Sequence, residues 1–432
     1  MEKNVGFIER TFKLKAHNTN VKTEAIAGFT TFMTMAYILI VNPGTLADAG
    51  MDFGKVFTAT AISAIIGTLV MAFAANLPFA LAPGMGLNAF FAYTVVIAGH
   101  KSFEFALTAV FLEGIIFLIL TLFNVREAII NALPANIKRA ISVGIGLFIA
   151  FIGLANSGVI IHGDTIVQLG TVTSGSGLLA LIGIVIAGVL LALNVKGALF
   201  ISIILTTIIG FPMGITHFPE AMWQLPSTPY FFNFAWGEIF SMDMLSVLFV
   251  FLFVDMFDTV GTLVGVTTKA GMLEDGKVPN VKQALFADAV GTTVGAIFGT
   301  STVTTYVESA SGVAEGGRTG LTAVVTAGLF GVALLLSPLF IMIPSAATTP
   351  ALVLVGVFMM SPIKEIDFDD YTELIPAFLT IIMMPLAYSI SEGIVFGVLS
   401  YVILKVFTNR GKEVPVLTYM IAVFFAIKLV MG

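Results

Sequence analysis

The chain has 432 residues, of which 58% are hydrophobic and 11% charged, with a mean hydropathy of +1.03 and a net charge of −6. A soluble domain carries about 25% charged residues, so this composition excludes a soluble globular fold and indicates a polytopic membrane protein. Cysteine is absent, which removes disulfides and thiolate metal sites, and no nucleic-acid partner is expected.

Residues 1–24 are polar and of mixed charge, and they read as a cytoplasmic N-terminal segment with no cleaved signal peptide. Continuous apolar runs of about 17 to 25 residues follow, the length a helix needs to cross about 30 Å of hydrocarbon. They are continuous rather than alternating, so they are helices and not barrel strands. Spans are expected near 25–43, 56–81, 84–98, 104–124, 137–155, 178–195, 197–215, 244–266, 283–300, 303–314, 318–342, 347–361, 371–388 and 389–408. A further apolar stretch at 414–431 either crosses the bilayer or lies on it. With the N-terminus inside, Lys3, Arg10, Lys13, Lys15 and Lys22 are joined inside by Arg126, Lys138, Arg139, Lys196, Lys269, Lys277, Lys282, Arg318, Lys364, Lys405, Arg410 and Lys412. Only Lys55 and Lys101 then fall outside, with Lys428 unassigned, and the basic-residue bias supports that orientation.

The third and tenth spans are short and broken. The third reads Leu81-Ala-Pro83-Gly84-Met-Gly86-Leu-Asn88-Ala-Phe90-Phe91-Ala-Tyr93, and the tenth Gly299-Thr-Ser301-Thr-Val-Thr304-Thr305-Tyr306-Val-Glu308-Ser309. They are seven spans apart, and each follows a similar helix: Ile66-Gly67-Thr68 in the second span matches Val290-Gly291-Thr292 in the ninth. Seven spans per half invert the second half relative to the first. Inverted repeats whose interrupted helices meet at the midplane are the architecture of secondary transporters.

Two carboxylates, Asp255 and Asp258, lie inside the eighth span in an otherwise uncharged apolar stretch. A charge at the bilayer centre costs about 3 kcal/mol on insertion scales, so such residues usually face a cavity and mark a substrate or proton path. Spaced three apart, the two share a helix face. Glu308 lies in a segment rich in Thr, Ser and Gly, and Asn88 holds the matching place in the first half beside Phe90, Phe91 and Tyr93. Acceptors, an amide that also donates, and aromatic faces suit a flat, nitrogen-rich ring better than a bare ion. A carboxylate in a low-dielectric site can also take up a proton and couple transport to it. For Asp255 a helix-bridging role and a functional role stand level.

The strings Asn42-Pro-Gly-Thr-Leu46, Ala82-Pro-Gly-Met-Gly-Leu-Asn-Ala-Phe-Phe91, Phe257-Asp-Thr-Val-Gly-Thr-Leu263, Gly299 to Ser309, and Pro376-Ala-Phe-Leu-Thr-Ile-Ile-Met-Met-Pro-Leu386 resemble the adenine/guanine/hypoxanthine permeases. This is a branch of the nucleobase:cation symporters, and the bacterial hypoxanthine/guanine permeases are the nearest likeness. The resemblance runs from about Asn18 to the end of the chain. It implies an all-α polytopic fold of about 14 spans in two inverted seven-helix repeats, with short strands interrupting the third and tenth. It further implies a core domain of spans 1–4 (25–124) and 8–11 (244–342), and a gate domain of spans 5–7 (137–215) and 12–14 (347–408), with 414–431 as an extra segment. Substrate-binding positions carried over are Asn88, Asp258 and Glu308, with Phe90, Thr304 and Thr305 around them. Proton coupling falls to Asp258, Asp255 and Glu308, and a second acid at Asp255 departs from the family pattern. The implied activity is proton-coupled purine import through an elevator movement in the cell membrane. The proton is then the coupling ion, with no other cofactor or metal, and a homodimer would meet through the gate domains.

An ionised Glu308 would accept from N1–H of hypoxanthine and from N1–H and the 2-amino group of guanine, whereas adenine offers N1 as an acceptor. The expected order is therefore 6-oxopurines before adenine. Glu113, Glu392, Lys405 and Arg318 read as interface or snorkelling residues, with Arg318 a helix cap or a partner for Glu315. Three rival classes are weaker. An anion exchanger or channel of this fold wants positive charge at its site, and here the site carries acids. A primary pump needs a phosphate loop, but every Gly-Lys pair is followed by Val or Glu. An intramembrane aspartyl protease would have to pair Asp258 with Glu308, and no Gly-x-Gly-Asp sequence occurs.

Overall fold

A computed structural model describes residues 6–123, 134–163, 166–219, 221–269, 272 and 278–431; Lys3, Arg126 and Lys277 lie outside this set. After a short helix α1 (Phe7–Phe12), Asn20 caps α2 (Val21–Met35) by accepting the backbone N–H of Thr23, so the first span begins four residues before the expected 25. It runs on through a break at Ala36 and Tyr37 into α3 (Ile38–Asp48). Helix α4 (Phe53–Val70) ends in a π-helical turn, Met71–Ala75, and residues up to 81 that hydropathy assigned to it instead lead into strand β1 (Leu81–Pro83). Next come α5 (Met85–Ala89), continued by π-helical Phe90–Ala98, and α6 (Phe103–Phe123). Helices α7 (Ala135–Asn156), α8 (Gly175–Ala192) and α9 (Ala198–Gly210) complete the first half, with a small β2–β3 hairpin (Ile160–Ile161, Gln168–Leu169) after α7.

The second half repeats the order: α10 (Met242–Lys269), α11 (Val281–Phe298), β4 (Val303–Thr305), α12 (Ser309–Ala314) and α13 (Gly320–Leu335). A separate short helix α14 (Ser337–Ile341) takes the end of the expected eleventh span, because Pro338 removes a backbone donor there. Helices α15 (Ser345–Met359), α16 (Tyr371–Leu386), α17 (Ile390–Phe407) and α18 (Val416–Met431) finish the chain. Among the described residues seven helices are long and apolar enough to span a membrane by themselves, and five shorter apolar helices accompany them. This is the all-α, strand-interrupted inverted-repeat fold expected from the sequence.

Strands β1 and β4 pair antiparallel, with Leu81 opposite Thr305, Ala82 opposite Thr304 and Pro83 opposite Val303. The ribbon is extended by Gly84 N–H donating to the Thr302 carbonyl and Tyr306 N–H donating to that of Ala80, each at 3.0 Å. This register leaves the N–H and C=O of Leu81 and Val303 on the outer edges of the ribbon. No water is available at bilayer depth to satisfy such edges. The Thr68 hydroxyl, at the end of α4, accepts from Leu81 N–H at 2.9 Å and donates to Leu81 C=O at 3.2 Å. Its counterpart Thr292, on α11, accepts from Val303 N–H at 3.2 Å and donates to Val303 C=O at 2.9 Å. The internal match seen in the sequence therefore has a physical content: each threonine closes one edge of the ribbon. The glycines before them let α4 and α11 cross closely, since a Cβ on Gly67 would lie 3.3 Å from the Gly291 Cα.

The helices pack mainly within two sets, one of α2, α3, α4, α6 and α10 to α13, the other of α7 to α9 and α15 to α17. Between them, Asp48 at the end of α3 accepts from the Tyr93 hydroxyl at 2.6 Å and from the Asn156 amide of α7 at 2.8 Å. Helix α18 packs on α17 and lays Phe425 edge-on against Phe249 of α10, with centroids 5.7 Å apart, so it touches both sets.

Candidate functional site

The ribbon is where the sequence-derived residues collect. Gly84 precedes α5 and leaves room for the opposite strand: a Cβ there would lie 2.7 Å from the Thr304 methyl and 3.5 Å from Asp258 Oδ2. Asp258 thus reaches the strand crossing from α10, and Glu308, between β4 and α12, is within electrostatic reach of it. Both acids are half-buried. The Glu308 carboxylate accepts from the Tyr37 hydroxyl at 2.6 Å. Asn88, one turn after Gly84, is 1% exposed. Its carbonyl oxygen accepts from the Ser301 hydroxyl, while its amide nitrogen has no hydrogen-bond partner among the described residues. The Thr305 hydroxyl, also buried, is in the same position. Buried donors without partners are uncommon and call for an explanation such as a ligand or an ordered water.

Asp255 and Asp258 share a helix but not an environment. Asp255 is fully buried, and the Thr259 hydroxyl of the same helix stands 3.2 Å from Asp255 Oδ1 and 2.8 Å from Oδ1 of Asp288 on α11. The same hydroxyl is 2.8 Å from that of Thr304, so a hydrogen-bonded line runs from the β4 strand to two buried acids. Asp288 was missed in the sequence, although the rule that singles out Asp255, an acid inside an apolar span, applies equally to it. Phe90 is wholly buried and packs edge-to-face on Phe251, with centroids 4.8 Å apart.

Of the charged positions read as interface or snorkelling residues, Glu113 and Lys405 lie at buried interfaces and Arg318 is a cap. Glu113 is buried in α6 and accepts from the Thr302 hydroxyl at 2.6 Å. Lys405 is 1% exposed and paired with Glu373 and Glu413, each at 2.8 Å, because the end of α17 is folded against the start of α16. Arg318 caps α12 by donating to the carbonyls of Val313 and Gly317, both at 2.7 Å, while Glu315 pairs with Lys196. Glu24, expected in the polar N-terminal segment, is buried in α2. It accepts the backbone N–H groups of Arg318, Thr319 and Thr322 at the start of α13.

A cavity of about 330 Å³ lies to one side of the ribbon, lined among others by Thr45, Asp48, Tyr93, Asn156 and Thr349. It does not reach Asn88 or Glu308, so the site is located by its converging polar groups rather than by that cavity. Together the ribbon residues offer two carboxylates, an amide donor and a hydroxyl, which can hold a flat heterocycle by its edge. Among the described residues no cluster of three or more His, Cys, Asp or Glu has metal-ligand geometry.

Comparison with known proteins places the chain in a family. The chain matches the profile described as "Permease family" over residues 22–396. It is 51% identical to a putative permease of Methanocaldococcus jannaschii, covering 98% of each chain. It is 46% identical to the guanine/hypoxanthine permease PbuO of Bacillus subtilis, covering 97% of this chain and 99% of the other. To the adenine permease AdeP of Escherichia coli the identity is 44%, over 98% and 96%. Among solved structures, the transmembrane domain of the cyanobacterial bicarbonate transporter BicA superposes with a TM-score of 0.66 at 16% identity, covering 87% of this chain and 97% of that one. At that identity the likeness is one of fold.

Proposed function

Starting from a chain that belongs to the permease family, in its adenine/guanine/hypoxanthine branch, and is a transporter rather than an enzyme, we propose that it imports purine nucleobases by proton symport, hypoxanthine and guanine ahead of adenine. Relatives named for guanine/hypoxanthine and for adenine stand at nearly the same identity, 46% and 44%, so overall similarity does not choose between them. The chemistry of the ribbon supports the 6-oxopurines. The observation that carries the reading is Glu308, an acceptor already bonded to a tyrosine donor, facing a site whose spare donor is the Asn88 amide. That set complements N1–H and O6 of a 6-oxopurine. Asp258, and behind it the Thr259 line to Asp255 and Asp288, supplies places for the coupling proton.

The two packing sets correspond to a core carrying the ribbon and a gate against which it slides, with the N-terminus cytoplasmic and the protein in the plasma membrane. A homodimer through the gate helices belongs to the same reading and is checked by native mass spectrometry. Binding of hypoxanthine, guanine, adenine and uracil to the purified protein across pH, with Glu308→Gln and Asp258→Asn alongside, tests the substrate and the proton carrier. A large but still measurable loss of hypoxanthine and guanine affinity in Glu308→Gln and an altered pH profile in Asp258→Asn are expected. Binding left unchanged by both substitutions refutes the site. In proteoliposomes a protonophore abolishes accumulation if uptake is proton-driven; accumulation that persists refutes symport.

A further inference from the structure

Tyr37 holds Glu308 from outside the two broken spans. It occupies the break between α2 and α3, is 1% exposed, and its hydroxyl donates to Glu308 Oε1 at 2.6 Å. The Thr34 hydroxyl, one turn earlier, donates within its own helix to the Thr31 carbonyl at 2.8 Å and stands 3.4 Å from the Glu308 carbonyl. The first span therefore holds the side chain of Glu308 through Tyr37. Asp258 and Tyr306 are within electrostatic reach of the same phenol, but the Tyr306 hydroxyl is committed to the Pro83 carbonyl.

We propose that Tyr37 is a positioning residue that fixes Glu308 as a hydrogen-bond acceptor and thereby selects purines carrying N1–H over adenine. The inference rests on Glu308 contacting the substrate. A buried phenol has to give its proton to an acceptor, since leaving it unpaired forfeits the hydrogen bond and keeps the desolvation cost. With that proton directed at Oε1, the ionised carboxylate gains a short charge-assisted bond. A carboxylate has about four lone-pair sites, so acceptor capacity remains for N1–H and, in guanine, for the 2-amino group. Adenine presents a lone pair at N1 and faces repulsion unless Glu308 takes a proton, which surrenders the charge-assisted bond. Tyr37 therefore acts on selectivity without touching the purine.

The test is a cycle of Tyr37→Phe, Glu308→Gln and the double variant, with hypoxanthine and adenine affinities measured from about pH 5 to about pH 8. A bond to a charged group is worth about tenfold or more. Tyr37→Phe is expected to weaken hypoxanthine about tenfold at neutral pH and to leave adenine unchanged or improved. The pH below which hypoxanthine affinity collapses should rise by about one unit. In the Glu308→Gln background Tyr37→Phe should add nothing, which is the signature of two residues acting as one. An equal loss for both purines, or the same loss in the Gln background, overturns the proposal, because Tyr37 then only packs. If Tyr37→Phe does not fold, 3-fluorotyrosine at position 37 keeps the shape and makes a stronger donor. The collapse should then move to lower pH, and an unmoved profile overturns the proposal. Failure of the underlying reading has a different mark: Glu308→Gln keeps wild-type hypoxanthine affinity at every pH, and both fall together.

Discussion

Replacing Thr68 or Thr292 by valine isolates the support of the ribbon. Valine matches threonine in shape, so packing is kept, but one N–H and one C=O of Leu81 or Val303 lose their partner in a fully buried setting. Each orphaned group costs about 1–3 kcal/mol, which sums to about 2–6 kcal/mol for either substitution before relaxation. Even the lower bound, if the ribbon frays instead of the protein unfolding, corresponds to about a 30-fold loss of ligand affinity at about 1.4 kcal/mol per decade. The two substitutions should act equally, because the two bonding patterns mirror each other, and serine at either position should restore most of the loss. Hypoxanthine titration calorimetry together with thermal unfolding in detergent measures both quantities. Valine variants that bind and melt like the parent would show that these edges are satisfied in some other way.

Gly84→Ala places a methyl 2.7 Å from the Thr304 methyl, and overpacking of this kind costs about 1–3 kcal/mol; purine affinity measured by calorimetry should fall by about fivefold or more. Lys405→Met leaves the Glu373 carboxylate facing a fully buried apolar side chain and should destabilise by about 3 kcal/mol, seen as a lower melting temperature with purine selectivity unchanged. Asp370 is held down to about 2 by the Thr372 hydroxyl and Arg410, and Glu413 to about 2 by Arg410 and Lys405. Both carboxyls sit below their unfolded values of about 4. Their stabilising contribution is therefore complete above about pH 4 and is lost as pH falls towards about 2. Melting curves across that window should show the loss in the parent and a smaller one in Asp370→Asn.

Much of this arrangement could be read before any coordinates. Pro83, Gly84 and the Thr-rich run at 300–305 interrupt apolar helices in matching places, and proline and glycine announce such breaks locally. The carboxylates at 258 and 308 stand out because charge is rare at that depth. Tyr37, Ser301 and Thr259 did not stand out, since a tyrosine, a serine or a threonine in an apolar helix carries no cost that marks it. Their roles come from contacts with segments distant in sequence, as when Tyr37 meets Glu308. For Lys405 the sequence shows only a cation near a helix end, and the fold alone brings Glu373 and Glu413 to it. Asp288 is legible in the sequence by the same rule as Asp255, being an acid inside an apolar span.

The pairing of β1 with β4 also has a consequence for how the protein is made. The strands belong to opposite halves of the chain, so when ribosomal synthesis has delivered only the first seven spans, the inward edge of Ala80, Ala82 and Gly84 has no strand to meet. Thr68 already protects one edge of that segment, and the other waits for residues 302–306. The site is thus among the last features of the protein to exist. With the purine held at the ribbon as proposed, its binding would report that both halves have been inserted and joined, and two halves synthesised as separate chains should recover it only when they are present together.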